Sequence, residues 1–241
     1  MISERPWRPE AVLMLGAGML VIISLTSIGA ALLQDRDATP RFVAFVVGTL
    51  FGQCLAAVQV HFFLRYHGMS WSEFLGLHRR RVILMVLLGI ATAVIVTPLG
   101  WAATYVSGKA ITRLYEEPKQ QKVVEVLESA QEPAQRIIFA LTAIIMAPLI
   151  EETMFRGILY PLLKQQGYRR LALWGTSLLF AAIHTNLLTF LPLFLFAVVL
   201  VALYEWTDTM IAPITAHAAF NAINFTLLLN LDQISRWLDL P

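Results

Sequence analysis

The chain has 241 residues, of which 58% are hydrophobic and only 14% are charged. Soluble domains carry about 25% charged residues, so this composition argues against a soluble globular protein, and its hydrophobicity excludes a disordered chain. The net charge is only +2 and the 18 Lys and Arg residues are dispersed, so we expect no nucleic-acid partner. With a single cysteine, the chain has no intrachain disulfide.

Apolar runs that are long enough to cross a bilayer recur along the chain, since a helix needs about 20 apolar residues to span the hydrocarbon core. In chain order the six runs are 11–33, 42–64, 82–106, 137–163, 171–204 and 209–231. The run 171–204 is too long for one crossing, and we divide it near Asn186–Pro192 into two helices. The sequence therefore predicts an all-α fold, a polytopic membrane helical bundle of about seven or eight membrane helices.

The basic residues between these runs predict the orientation of the chain. With alternating crossings, one side of the membrane receives most of them. These residues are Arg5, Arg8, Arg65, Arg79, Arg80, Arg81, Lys164, Arg169 and Arg170. Since cytoplasmic loops carry an excess of Lys and Arg, we expect a cytoplasmic N-terminus. The predicted location is an integral, multi-pass membrane protein (in the cell membrane if the source is prokaryotic), with membrane lipids as partners.

The stretch 107–136 is the longest polar segment between the runs. In it, the spacing of Val123, Val124 and Leu127 predicts an amphipathic surface helix. We accordingly divide a single integral membrane domain into two regions. Region 1–136 holds the N-terminal membrane helices and the amphipathic loop, and region 137–241 holds the candidate catalytic core.

Three charged residues interrupt the fourth apolar run. Glu151 lies 15 residues beyond Arg136, roughly 22 Å along a helix, so Glu151, Glu152 and Arg156 fall at membrane depth. A charge at the bilayer centre costs at least ~2.5–3.5 kcal/mol, and such residues face a bundle interior or a watery cavity. Glu152 and Arg156 are spaced i,i+4 and are expected to pair, which leaves Glu151 to face a cavity. The alternative is a single stabilising ion network of all three.

Two histidines and two amides occupy the later apolar runs. His184 follows Phe180 by one helical turn, and His217 precedes Asn221 by one turn, with Asn224 near the same face. A carboxylate, two imidazoles and an amide are the groups needed for water activation and oxyanion stabilisation. Two histidines and a glutamate are also zinc ligands, so a zinc-dependent membrane peptidase is an alternative that we do not favour.

Three motifs occur in order: EETMFRG at Glu151–Gly157, FAAIH at Phe180–His184 and HAAFN at His217–Asn221. They resemble the Glu-Glu-x-x-x-Arg, Phe-x-x-x-His and His-x-x-x-Asn motifs of the CPBP family of membrane proteases. That family contains CAAX proteases and bacteriocin-processing enzymes and is also called the Abi family. The resemblance covers about residues 137–225, and each motif lies in an apolar segment.

This resemblance implies an intramembrane endopeptidase that uses a glutamate-activated water and no cofactor. Its implied substrates are membrane-associated proteins or peptides, including prenylated ones of the CAAX type. Carried over by position, Glu151 is the general base, His184 helps to hold the water, and His217 and Asn221 stabilise the oxyanion. The supporting residues are Glu152, Arg156, Phe180 and Asn224.

Two further functions stay open at this point. A proton- or ion-coupled transporter also places Glu, His and Arg inside the membrane, although transporters usually show internal repeats and this chain shows none. A non-catalytic family member that acts as an immunity or scaffold protein needs none of these residues for chemistry. All three motifs are complete here, which favours the peptidase.

Overall fold

The computed structural model describes residues 5–34, 46–77, 81–114, 124, 127 and 132–237. Apart from the helical residues Val124 and Leu127, these ranges form eight helices and no strand. The helices are α1 (Pro9–Gln34), α2 (Val46–Phe51 continuing as Gly52–Tyr66), α3 (Trp71–Leu75), α4 (Val82–Leu114), α5 (Pro133–Gln165), α6 (Leu171–Ile183), α7 (Leu187–Thr207) and α8 (Ile211–Trp237). The predicted all-α fold is thereby confirmed.

Seven of these helices correspond to the seven predicted membrane segments. Within the described part of the chain, α1, α4, α5, α7 and α8 are long and apolar enough to cross a membrane, and α6 is a shorter apolar helix. The long run divides at Asn186, the first residue of the expected range Asn186–Pro192. Asn186 caps the N-terminus of α7 by accepting a hydrogen bond from the Thr189 amide at 3.0 Å. Pro192 lies inside α7 and does not end it.

The polar segment after the third run is shorter than expected. Helix α4 continues to Leu114, and α5 already begins at Pro133, so the predicted loop 107–136 was too long at both ends. A proline at the first helical position suits the start of a helix. The predicted boundary between residues 136 and 137 thus falls in the first turn of α5. Of the predicted amphipathic helix, Val124 and Leu127 are helical and Leu127 is buried. Val123 lies outside the described residues, as do Arg79 and Arg80.

Helix α8 makes its most extensive contacts with α4, and these two helices approach closely. A Cβ atom on Gly89 of α4 would lie 2.7 Å from the Ala212 carbonyl oxygen of α8 and 2.8 Å from Thr215 Cβ. Small residues at a crossing let two membrane helices pack backbone to backbone. This contact fixes the helix that carries His217.

Helix α5 is not a uniform α-helix. Two stretches, Leu141–Met146 and Thr153–Leu159, have wider turns in which the backbone amide bonds to the carbonyl five residues earlier. Each stretch is followed closely by a proline, Pro148 or Pro161, which has no amide hydrogen to donate. Such widened turns free backbone carbonyls and occur frequently at functional sites.

Candidate active site

Glu152 is the centre of a buried polar cluster. Its Oε1 atom accepts hydrogen bonds from Arg156 Nη1 at 2.9 Å and from His217 Nδ1 at 2.8 Å. All three side chains are at most 5% exposed. The expected i,i+4 pair of Glu152 and Arg156 therefore forms. Because a carboxylate can only accept, His217 carries a proton on Nδ1, and its Nε2 points away from Glu152.

Glu151 has different surroundings from its neighbour. Its side chain is 28% exposed, and its Oε2 atom lies 3.8 Å from His217 Nε2. This distance is too long for a direct hydrogen bond. The carboxylate and the imidazole can therefore both hydrogen-bond to a small molecule, such as water, that lies beside them. Arg156 pairs with Glu152 and leaves the Glu151 carboxylate partly exposed. That Glu151 faces a cavity stays a prediction.

Arg156 joins α5 to two other helices. Its Nη2 atom donates to the Ala197 carbonyl of α7 at 3.0 Å, and its guanidinium lies over the Phe180 ring of α6, 4.6 Å from the centroid. Stacking on an aromatic face and binding a carboxylate are both favourable for a guanidinium. These contacts compensate its charge in an apolar bundle and hold Glu152 in place.

Phe180 also contacts both histidines. Its ring centroid lies 4.9 Å from that of His184 and 5.7 Å from that of His217. His184 ends α6, and its Nδ1 donates to the Phe180 carbonyl at 2.7 Å, because a carbonyl can only accept. The Nε2 atom of the neutral His184 ring therefore has a lone pair for another partner. Phe196 packs on His217 with a ring centroid distance of 5.4 Å.

Asn221 is held by the first widened turn of α5. Its Nδ2 atom donates to the Ala143 carbonyl at 2.8 Å. In this turn the Ala147 amide bonds to Thr142 instead, and the next residue is Pro148. The Ala143 carbonyl thus accepts a hydrogen bond from neither of these two residues, and the Asn221 side chain donates to it instead. An amide group has two N–H donors, so one hydrogen of Nδ2 stays available.

Asn224 takes part in helix packing. Its Oδ1 accepts from Trp101 Nε1 of α4 at 2.9 Å, and its Nδ2 donates to the Phe220 carbonyl at 2.8 Å. The structure therefore brings Glu151, Glu152, Arg156 and His217 together and links His184 to them through Phe180. It uses Asn224 to join α8 to α4. Among the described residues, no group of three His, Cys, Asp or Glu side chains is arranged to hold a metal ion.

Sequence reasoning missed the partners that orient this cluster. Backbone carbonyls of Ala143 and Ala197 are invisible in a residue pattern, since any residue type supplies one. Pro148, three residues before Glu151, was the available signal. A proline inside an otherwise helical run marks a carbonyl without its usual donor and a local change in the turns.

The fold and this site define a polytopic membrane protein with an acid, two histidines and an amide in its helical bundle. Residues 133–223 match the family model described as type II CAAX prenyl endopeptidase Rce1-like. For this segment, the match confirms the family resemblance that the three motifs indicated.

A further comparison gives a partial relative. The "Uncharacterized protein YpbD" of Bacillus subtilis (strain 168) is 33% identical over 104 residues, which are 42% of this chain and 49% of that protein. The chain thus spans about half the length of the curated relative that it matches. No solved structure matches the chain.

Proposed function

We propose that the protein is an intramembrane endopeptidase in which Glu151 activates the attacking water. The observation that carries this proposal is the contrast between two adjacent carboxylates. Glu152 is buried and hydrogen-bonded to Arg156 and His217, whereas Glu151 is partly exposed and faces His217 Nε2. A general base must reach both water and substrate, and Glu151 is the carboxylate of the pair that can do so.

In the proposed reaction, Glu151 takes a proton from a water molecule that also hydrogen-bonds to His184 Nε2. The water oxygen attacks the carbonyl carbon of the scissile peptide bond, and the carbonyl electron pair moves onto its oxygen. When the tetrahedral intermediate collapses, the C–N bond breaks and Glu151 returns the proton to the departing amine. The atoms and charges balance without a metal or a redox cofactor.

The oxyanion is stabilised from α8. Asn221 supplies its second amide hydrogen, and His217 supplies Nε2–H in the imidazolium form, in which Nδ1–H still donates to Glu152. Donors that are fixed before the reaction stabilise developing charge without reorganising. Removing one such donor typically costs about 2.7–4 kcal/mol of transition-state stabilisation. Glu152 and Arg156 act through His217 by fixing its ring orientation.

The proposed substrate is a membrane-associated protein or peptide, and a prenylated CAAX peptide is its first candidate. Two observations support this choice. Residues 133–223 match a family described as a CAAX prenyl endopeptidase, and Glu151 lies inside one of the candidate membrane spans, Pro133–Gln165. A substrate with a lipid anchor reaches a site at this depth more readily than a freely soluble peptide.

The test uses purified protein in liposomes with a farnesylated peptide that ends in a CAAX sequence. The same peptide without the lipid is the matched control. We expect release of the C-terminal tripeptide from the farnesylated peptide, detected by mass spectrometry. Intact peptides, together with uptake of a solute driven by a pH gradient, would favour the transporter and contradict the peptidase.

A further inference from the structure

The N-terminal segment reaches the active-site helix through one buried hydrogen bond. Trp7 Nε1 donates to the Gly157 carbonyl of α5 at 2.9 Å. In an α-helix this carbonyl would accept from the amide of residue 161, four positions later. Residue 161 is a proline and has no amide hydrogen. The Trp7 indole therefore replaces the α-helical donor that Pro161 cannot supply.

This bond lies on the same turn of α5 as Arg156, a member of the buried polar cluster. Gly157 follows Arg156 directly, and both belong to the widened turn Thr153–Leu159 that begins next to Glu152. The turn has little room to shift, because a Cβ atom on Gly157 would lie 2.3 Å from Phe74 Cζ. A displaced turn would move Arg156 and, with it, Glu152, whose carboxylate accepts the hydrogen bond from His217.

Trp7 itself is held rigidly. The residue is 6% exposed, and its ring packs on Phe63 and His67 with centroid distances of 5.1 and 5.2 Å. Two residues earlier, Arg5 Nη2 lies 3.4 Å from both the Phe74 carbonyl and the Tyr204 hydroxyl, in hydrogen-bonding contact with each. The N-terminal segment is thus anchored to α2, α3 and α7 as well as to α5, and it provides a fixed point for the turn.

The same chemistry occurs once more in α5. Pro148 leaves the Ala143 carbonyl without a helical donor, and Asn221 fills the position from another helix. In both cases a proline removes an amide hydrogen, and a side chain distant in sequence replaces it. At Ala143 the replacing side chain is Asn221, a candidate oxyanion donor; at Gly157 it is a residue outside the three motifs.

We propose that Trp7 is a positioning residue for the reaction: its indole N–H completes the helix at Gly157 and thereby fixes Arg156, Glu152 and His217. This inference rests on the proposed peptidase function. It assigns a role to the N-terminal segment, which carries none of the motifs.

The test is a double-mutant cycle of Trp7→Phe and Pro161→Ala. Trp7→Phe keeps an aromatic ring and removes the donor, and Pro161→Ala returns a backbone amide that can donate to Gly157. We expect Trp7→Phe to lower kcat about tenfold per folded molecule with KM nearly unchanged, because a buried acceptor loses its partner. In the Pro161→Ala background the same change should have about a twofold effect or less, since the interaction is already replaced.

A control separates positioning from a general loss of stability. Phe63→Leu weakens the packing around Trp7 but leaves its hydrogen bond, so kcat per folded molecule should stay at the wild-type value. Equal effects of Trp7→Phe in both backgrounds, or none in the wild-type background, would overturn the proposal. If Trp7→Phe does not fold, the Trp7→Phe/Pro161→Ala protein should fold. Failure of this double variant to fold would also overturn the proposal. A wild-type protein that cleaves no peptide would instead reject the peptidase function.

Discussion

Glu151 and Glu152 are adjacent in sequence and occupy opposite environments: Glu152 is fully buried between Arg156 and His217, whereas Glu151 is 28% exposed and bonded to neither. Adjacent residues on a helix point about 100° apart, which allows one carboxylate to be structural while the next faces substrate. The structural role of Glu152 and the proposed catalytic role of Glu151 predict different responses to the same Glu→Gln substitution.

Replacing Glu152 with Gln should lower stability. The buried Arg156 would lose its counterion, and breaking a buried ion pair from one side typically costs about 3–5 kcal/mol. Glu151→Gln should change the free energy of unfolding by only about 0.5 kcal/mol, because this partly exposed carboxylate is hydrogen-bonded to neither Arg156 nor His217. Unfolding in detergent micelles, measured for both variants, checks the difference. Equal stability of the two variants would contradict the assignment of Glu152 to the structural role.

Replacing Asn221 with Ala should reduce turnover about 10²–10³-fold, because the oxyanion loses a fixed donor. Asn224→Ala is the matched comparison on the same helix. Asn224 bonds to Trp101 and to the Phe220 carbonyl, so its loss should cost about 1 kcal/mol of stability and leave turnover per folded molecule close to wild type. Steady-state cleavage rates normalised to folded protein test this pair. Similar losses of turnover in both variants would contradict the distinction.

Enlarging Gly89 should separate α4 from α8. A valine there would place its Cβ 2.7 Å from the Ala212 carbonyl, and overpacking of this kind typically costs about 1–3 kcal/mol. Gly16→Ala in α1 is the control, since no atom lies within 4 Å of the added methyl group and alanine favours the helix by up to about 1 kcal/mol. Thermal unfolding should therefore shift in opposite directions. A Gly89→Val protein as stable as wild type would contradict the close crossing.

Removal of divalent metal should leave peptide cleavage intact. The proposed mechanism takes its base and its oxyanion donors from side chains alone. Cleavage rates before and after dialysis against a chelator test this prediction. A loss of activity that zinc restores would favour the zinc-dependent peptidase instead.

The order of the apolar helices could be predicted because length and apolarity alone decide whether a helix spans a bilayer. Of the seven predicted membrane helices, five are long and apolar enough to do so within the described part of the chain. The pairing of Glu152 with Arg156 could also be predicted, because i,i+4 spacing, like length and apolarity, is a local property of one helix. The end of α4 at Leu114 was missed, because residues 107–114 include polar side chains that a helix tolerates beyond the apolar core.

The tertiary partners could not be predicted. That Glu152 accepts from His217 depends on how α8 lies against α5, and 65 residues separate the two side chains in sequence. The sequence assigned Asn221 to the oxyanion and Asn224 to a supporting role, but it did not show the partner of either residue. Asn221 donates to the Ala143 carbonyl, whereas Asn224 accepts from Trp101. No sequence pattern indicated a role for Trp7, since its hydrogen-bond acceptor is the backbone carbonyl of Gly157.

The central claim is that Glu151 is the general base, and the cleavage rate of the Glu151→Gln protein tests it most directly. Gln keeps the size of the side chain but cannot take a proton from water, and general-base catalysis contributes typically 10²–10⁴-fold. We predict a fall in kcat of at least about a hundredfold in protein that unfolds like wild type. Turnover within a few-fold of wild type in such folded protein would contradict the account.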